Sequence, residues 1–244
     1  MKEYAIEVKD LCISYRTMKP MALRRSLLSF RKNKVEVNEA VKNVSFNVEK
    51  GKILGIIGKN GSGKSTLLRS IAGIFAANSG SIDLHGHSVS LLSIGVGFQN
   101  QLSGRENIFL SGLLMGFTEH QIAEKFDEIV EFSGLGKYID MPVKSYSSGM
   151  YSKLAFSITA TLETDIMLID EVLSVGDTAF KKKSYAKMKE LISDESRTVV
   201  IVSHDLKTVR SLCNEVLWVN DGEFMMQGDP QKVVDEYEKF MNAL

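Results

Sequence analysis

From Ile6 to Tyr15 the apolar side chains fall at Ile6, Val8, Leu11 and Ile13, an alternation with one slip at Lys9–Asp10 that predicts a strand. Ala40 to Val48 alternates again. Gly51 then breaks the pattern before Ile53–Ile57, a short run apolar enough to be buried, which enters a glycine-rich turn and a helix starting near Lys64. Ser79 to Leu92 reads as a hairpin and a further strand. Glu106 to Ser133 has helical spacing, with breaks at Gly112, Gly116 and Gly134. After Pro142 a serine-rich turn leads to a helix near Tyr151–Leu162, then to apolar strands at Ile166–Ile169 and Thr198–Val202 and a closing helix from Pro230 to about Met241. Strands alternating with helices predict an α/β fold with a parallel sheet, which offers its ligand site at the carboxyl ends of the strands.

One segment breaks the alternation. Between Arg16 and Asn38 stand seven basic residues (Arg16, Lys19, Arg24, Arg25, Arg31, Lys32, Lys34) against one acidic residue, Glu36, while Leu23, Leu27 and Phe30 recur at helical spacing. A basic amphipathic helix inserted between strands is expected. It fits a membrane surface, a nucleic-acid patch or a face packed on its own domain, and its short apolar stripe makes a protein partner the better fit than lipid alone. Elsewhere charge is balanced, 30 basic against 30 acidic residues, so any charged partner must see a local patch. No apolar run approaches the ~20 residues of a membrane span, and the first residues lack a signal-peptide core, so the expected location is cytoplasmic. Cys12 and Cys213 match no metal or redox spacing and are read as reduced structural residues. His85–Gly86–His87 offers two imidazoles without a third ligand in the sequence, so no metal site is expected there.

Three motifs carry chemistry. Gly58–Lys59–Asn60–Gly61–Ser62–Gly63–Lys64–Ser65, followed by Thr66, fits the phosphate-binding loop G-x-x-x-x-G-K-[ST], after a buried strand and before a helix as that loop requires. Its backbone N–H groups would converge on phosphate oxygens, Lys64 would reach the β and γ phosphates, and the Ser65 hydroxyl would hold Mg²⁺. Ile166–Met167–Leu168–Ile169 ends in Asp170–Glu171, two carboxylates that point opposite ways. Asp170 is placed to order the metal and Glu171 to polarise an attacking water. Ser147–Ser148–Gly149 opens a helix and can form a second anion-binding N-terminus.

In this order, the three motifs resemble the ABC ATPases. That resemblance implies further roles: Tyr15 stacking on adenine, Gln99 sensing Mg²⁺ and the attacking water, Ser174–Val175–Gly176–Asp177 crossing a dimer interface, and His204 contacting the γ phosphate. It also implies that Ser147, Ser148 and Gly149 bind the γ phosphate held by an opposite subunit. Leu102–Ser103–Gly104–Arg105–Glu106–Asn107–Ile108, Tyr146–Ser147–Ser148–Gly149–Met150, Asp170 to Asp177 and Leu217–Trp218–Val219 look like the ATPase subunits of polysaccharide, teichoic-acid and O-antigen exporters. Met150 stands where the common signature has glutamine, so a contact through that side chain is not carried over.

The expectation is a single ABC nucleotide-binding domain over residues 1–244, a P-loop core sheet (1–99 and 163–244) with an inserted helical subdomain at about 100–162 and the basic insert at 16–38. Glu171, His204 and Lys64 are the candidate catalytic residues, and Ser65, Gln99 and Asp170 the candidate metal set. The resemblance implies an ATP- and Mg²⁺-dependent, head-to-tail homodimer on the cytoplasmic face of a bacterial membrane, working with two copies of a separate permease. The cargo it implies is a lipid-linked polysaccharide or teichoic acid, with no nucleic-acid partner. An ABC ATPase for a lipid or drug, or a soluble one acting on nucleic acid or ribosomes, is the alternative.

Overall fold

The computed structural model describes residues 3–17, 36–92, 97–170, 177–194 and 196–243. Residues 18–35, which hold most of the basic insert, and residues 171–176, which hold Glu171 and Ser174–Gly176, lie outside the described residues. The insert is also narrower than expected. Arg16 and Thr17 end β1 (Tyr4–Thr17), and Glu36, Val37 and Asn38 begin β2 (Glu36–Glu49), because the antiparallel ladder between them runs on to Thr17 opposite Glu36.

Two sheets form the body. β2, β1 and β4 (Ser79–Asp83) make a three-stranded antiparallel sheet. The second has six strands in the order β5 (Val89–Leu92), β6 (Ile166–Asp170), β7 (Thr198–Val202), β3 (Ile53–Ile57), β8 (Glu215–Asn220) and β9 (Glu223–Gly228). All its pairs are parallel except β8 with β9. The predicted parallel sheet is therefore present, with an antiparallel edge and a separate antiparallel sheet added.

The hairpin expected in Ser79–Leu92 is corrected: its two strands join different sheets. Locally the chain does turn, with His87 N–H donating to Leu84 O (2.9 Å). But β4 is polar and exposed, suited to a sheet edge beside β1, whereas β5 is largely buried and pairs with β6. Asp165 directs that pairing by accepting from the backbone N–H and the hydroxyl of Ser88 (2.8 and 2.7 Å).

The parallel strands bury both faces, which is why they read as unbroken apolar runs. Leu54, Ile56, Leu168, Val200 and Val202 face the antiparallel sheet and α1 (Lys64–Ile71) in one core. Met167, Ile169, Val199 and Ile201 face away, against Phe156 of α4 (Ser148–Thr161) and Phe180 of α5 (Thr178–Ile192). Ile57, Val216 and Trp218 pack with Val209 of α6 (Leu206–Leu212) and with Val233, Val234 and Tyr237 of α7 (Pro230–Asn242). A further cluster stands on its own: Ile108 of α2 (Gly104–Leu114), Ile122 and Ile129 of α3 (Glu119–Ser133), Ile139, and Leu154 and Ile158 of α4. Each of α2 and α3 opens with a reciprocal capping box, Ser103 with Glu106 and Thr118 with Gln121. Among the described residues no helix is long and apolar enough to cross a membrane.

Candidate functional site

The loop after β3 closes on itself. Gly61 and Gly63 adopt φ of +80° and +96°, and a Cβ on Gly63 would lie 2.1 Å from Ala40 O, so the loop passes hard against β2. Gly63 is the N-cap of α1 and supplies no side chain to satisfy the helix's first N–H groups, which leaves that helix end suited to an anion. Lys64 is only 6% exposed, and its Nζ donates to Gly58 O and Lys59 O (2.8 and 2.7 Å), spanning the loop that it closes. The buried Ser62 hydroxyl has no partner among the described residues, an orphan that a bound phosphate oxygen would relieve.

Ser65 Oγ donates to Asp170 Oδ1 (2.9 Å), bringing the loop serine together with the carboxylate that ends β6. Two hard oxygen donors at this spacing suit Mg²⁺. Arg69 of α1 stands 3.7 Å from Asp170 Oδ2, a neighbour that no motif pointed to. A cleft of about 370 Å³ opens over the loop, lined by Asn60 to Thr66, by Tyr15, Asn38 and Ala40 of the antiparallel sheet, and by His204 beyond β7. Tyr15 gives its hydroxyl hydrogen to Thr66 Oγ1 (3.1 Å) and meets Phe75 edge-on, so its ring is fixed at the cleft wall.

The other predicted residues that are described lie elsewhere. Gln99 is exposed and does not line that cleft; its backbone N–H and C=O are both held by the Asn107 side chain (2.7 and 3.1 Å). Ser147 is the N-cap of α4, accepting from Met150 N–H (3.2 Å), and Ser147 and Ser148 face solvent with Gly149 beside them. The Tyr146 hydroxyl donates to Tyr138 O (2.7 Å), which anchors the segment where the common signature has leucine. Asp177 caps α5 and accepts from Lys153 Nζ of α4 (2.5 Å), and that lysine holds its carboxyl below the usual range. Lys153 and Asn107 were missed as contacts. The signal for Asn107 was an amide in the middle of a helix's apolar face.

The two histidines of the His85–Gly86–His87 turn do not converge: His85 lies near Asp83 (3.6 Å) and His87 near Asp165 (3.9 Å). His85 does meet further ligand types, since ligand atoms of His85, Asp83 and Glu7 lie within 4.8 Å of one another. That corrects the expectation of no third ligand, although Glu7 is already paired with Lys9 (3.0 Å).

A sequence profile for the ABC transporter family matches residues 41–174, more than half of the chain. The chain belongs to the ABC transporter family. An ABC domain binds ATP, and the cleft over the glycine-rich loop has the donors for it. Among relatives, this ABC chain is 49% identical over 202 residues to the teichoic acids export ATP-binding protein TagH of Lactococcus lactis, covering 83% of the chain and 43% of that protein. It is 40% identical over 244 residues to the O-antigen export system ATP-binding protein RfbB of Myxococcus xanthus, covering 96% of the chain and 56% of that protein. The chain thus spans about half the length of these relatives. Its fold matches the dimeric post-hydrolysis structure of the ATP-binding cassette MJ0796 with ADP and Pi, at TM-score 0.68 and 19% identity over 92% of this chain and 98% of that one.

Proposed function

We propose that this ABC domain is the ATP-hydrolysing subunit of an exporter for a lipid-linked cell-surface polysaccharide or teichoic acid, peripheral to the cytoplasmic face of the membrane. The relatives' export roles and the match over most of this chain support the cargo class. One observation carries the mechanism: the phosphate loop and His204 line one cleft, with Asp170 bonded to Ser65 of that loop, while Ser147, Ser148 and Gly149 sit outside it on an exposed helix end. Each cleft is completed only if a second copy, turned head to tail, presents that helix end.

Lys64 and the N–H groups at the start of α1 bind and orient the phosphates. Ser65 and Asp170 would hold Mg²⁺, which would supply charge neutralisation at the β and γ phosphates, and Gln99, outside the cleft in this structure, would join them only on moving toward it. Glu171 takes a proton from the attacking water and His204 holds the γ phosphate, with Tyr15 at the adenine. Asp177 lies where the two copies meet. Binding closes the dimer and hydrolysis opens it, so ATP gates a cycle that a permease pair converts into transport. The core (1–99 and 163–244) carries the nucleotide loop and the helical part (about 100–162) carries the trans-acting helix end.

The test is Glu171→Gln, expressed with a tag in native cells and extracted from membranes in ATP. A stoichiometric multi-spanning permease is the expected companion, with ATP bound and turnover abolished. Recovery only in the soluble fraction, with ribosomes or nucleic acid or nothing, refutes the exporter reading, and wild-type turnover in this variant removes Glu171 from the mechanism.

A further inference from the structure

Asn107 lies in the first turns of α2 with its side chain 0% exposed, in an otherwise apolar setting between Ile108 and the Gln99 loop. Its side-chain hydrogen bonds are all to backbone. Oδ1 accepts from Gln99 N–H (2.7 Å), and Nδ2 donates to Gln99 O (3.1 Å), Ser103 O (2.8 Å) and, at longer range, Leu102 O (3.3 Å). One buried amide thus holds both ends of residues 99–103. Buried networks that are fully satisfied are rigid, and removing their hub leaves several groups unpaired at once.

The same loop is stitched to a second segment. Val143 N–H donates to Leu102 O and Lys144 N–H to Asn100 O (both 2.9 Å), Gly104 N–H donates to Met141 O (3.2 Å), and Ser103 bridges to Pro142. From there Tyr146 N–H returns to Val143 O (2.9 Å), and the next residue is Ser147, the cap of α4. The path from Gln99 to Ser147 therefore runs through the Asn107 amide and a series of backbone hydrogen bonds, with Asn107 at its origin.

We propose that Asn107 is a positioning residue that makes the Gln99 loop and the Tyr146–Gly149 segment move as one body, so that occupancy of the chain's own cleft is transmitted to the helix end offered to the partner copy. The proposal rests on the proposed function, in which Gln99 acts at the chain's own nucleotide and Ser147–Gly149 at the partner's. It assigns the coupling to a side chain that touches neither.

Asn107→Leu and Val143→Pro test it from the two ends of the path. Hydrogen exchange of the nucleotide-free protein should show the amides of 99–103 and of 143–146 both exchanging at least tenfold faster in Asn107→Leu, with α1 unchanged. Affinity of the monomer for a fluorescent ATP analogue should stay within about twofold, while kcat falls at least tenfold, a split that a general loss of stability would not produce. Val143→Pro removes the N–H that reaches Leu102 and leaves the Asn107 bonds intact. It should leave Gln99 protected and lower kcat in the same direction, which keeps the test open if Asn107→Leu does not fold. Wild-type exchange at Val143 and Lys144 in Asn107→Leu, or wild-type kcat in either variant, overturns the proposal. A wild-type protein that fails to hydrolyse ATP would instead overturn the ATPase reading, and the exchange pattern would still decide the linkage.

Discussion

Gly61 and Gly63 share a loop and a left-handed backbone, at φ +80° and +96°, yet their surroundings differ, and this separates backbone strain from crowding. An alanine at either position incurs the left-handed cost of about 1–2 kcal/mol, partly offset by about 0.4–1 kcal/mol from a less flexible unfolded chain. A Cβ on Gly61 meets nothing within 4 Å, so Gly61→Ala should destabilise by about 1 kcal/mol in all. A Cβ on Gly63 would lie 2.1 Å from Ala40 O, more than an ångström inside the ~3.3 Å of a close carbon–oxygen contact. The obstacle is backbone of β2, which is held in place nearby by Lys42 N–H donating to Gly222 O (2.7 Å), so it cannot swing away as a side chain would. Adding the usual overpacking cost of about 1–3 kcal/mol brings Gly63→Ala to about 2–4 kcal/mol. For a chain of this size about 1 kcal/mol lowers Tm by about 2–4 °C, which predicts shifts of roughly 2–4 °C and 4–16 °C respectively. The single tryptophan, Trp218, is buried in the core beneath α7 and reports unfolding by fluorescence without a label. Nucleotide is left out of the assay, so lost binding cannot imitate lost stability. Equal shifts in the two variants would refute the claim that the approach of β2 is what requires glycine at 63.

Three other perturbations follow from the packing and the charges. Gly112→Ala puts a Cβ 2.6 Å from the side chain of buried Ile122 and should cost about 1–3 kcal/mol in urea denaturation, with Ile122→Val recovering part of it in the double variant. Burial pushes the Cys213 thiol up to about 12, so at pH 8 its thiolate is scarce; a thiol reagent should modify Cys12 in the native protein and Cys213 only with global unfolding, and equal rates would contradict this. Lys153 and the α5 N-terminus hold the Asp177 carboxyl below its ordinary value, so their stabilisation is fully present at neutral pH and is lost as pH falls through the lowered value; in Lys153→Met an NMR titration should place that carboxyl closer to the usual range.

What the sequence made legible was set by how local each determinant is. The phosphate loop and the start of α1 at Lys64 were readable because the glycines, the lysine and the preceding apolar strand lie within a dozen residues, and their geometry depends little on the rest of the chain. The pairing of Ser65 with Asp170 spans 105 residues, and it was readable only because motif order fixed which strand ends would be neighbours. The sheet assignment of Ser79–Leu92 was not, because its turn chemistry is that of a hairpin and the decision lies with Asp165, 77 residues beyond Ser88. Lys153 with Asp177 and Asn107 with Gln99 escaped for a related reason: a lysine in one helix and an amide in another carry no local mark of the backbone or carboxylate that they will hold. A buried asparagine is the more informative of the two. An amide placed among Ile108 and its neighbours is unfavourable there unless every polar atom is matched, so an asparagine in an apolar helix face implies a specific backbone partner. Among the remaining buried polar groups Arg197 stands out on the same ground: 7% exposed, it reaches Glu163 and Asp194 through Nη2 at 3.3 and 3.6 Å while its Nε has no partner among the described residues. With both acids more than 40% exposed, each ion pair is worth little alone, and the guanidinium ties the residue stretch before β6 to the one before β7 through pairs and packing together, both of which a truncation there would lose.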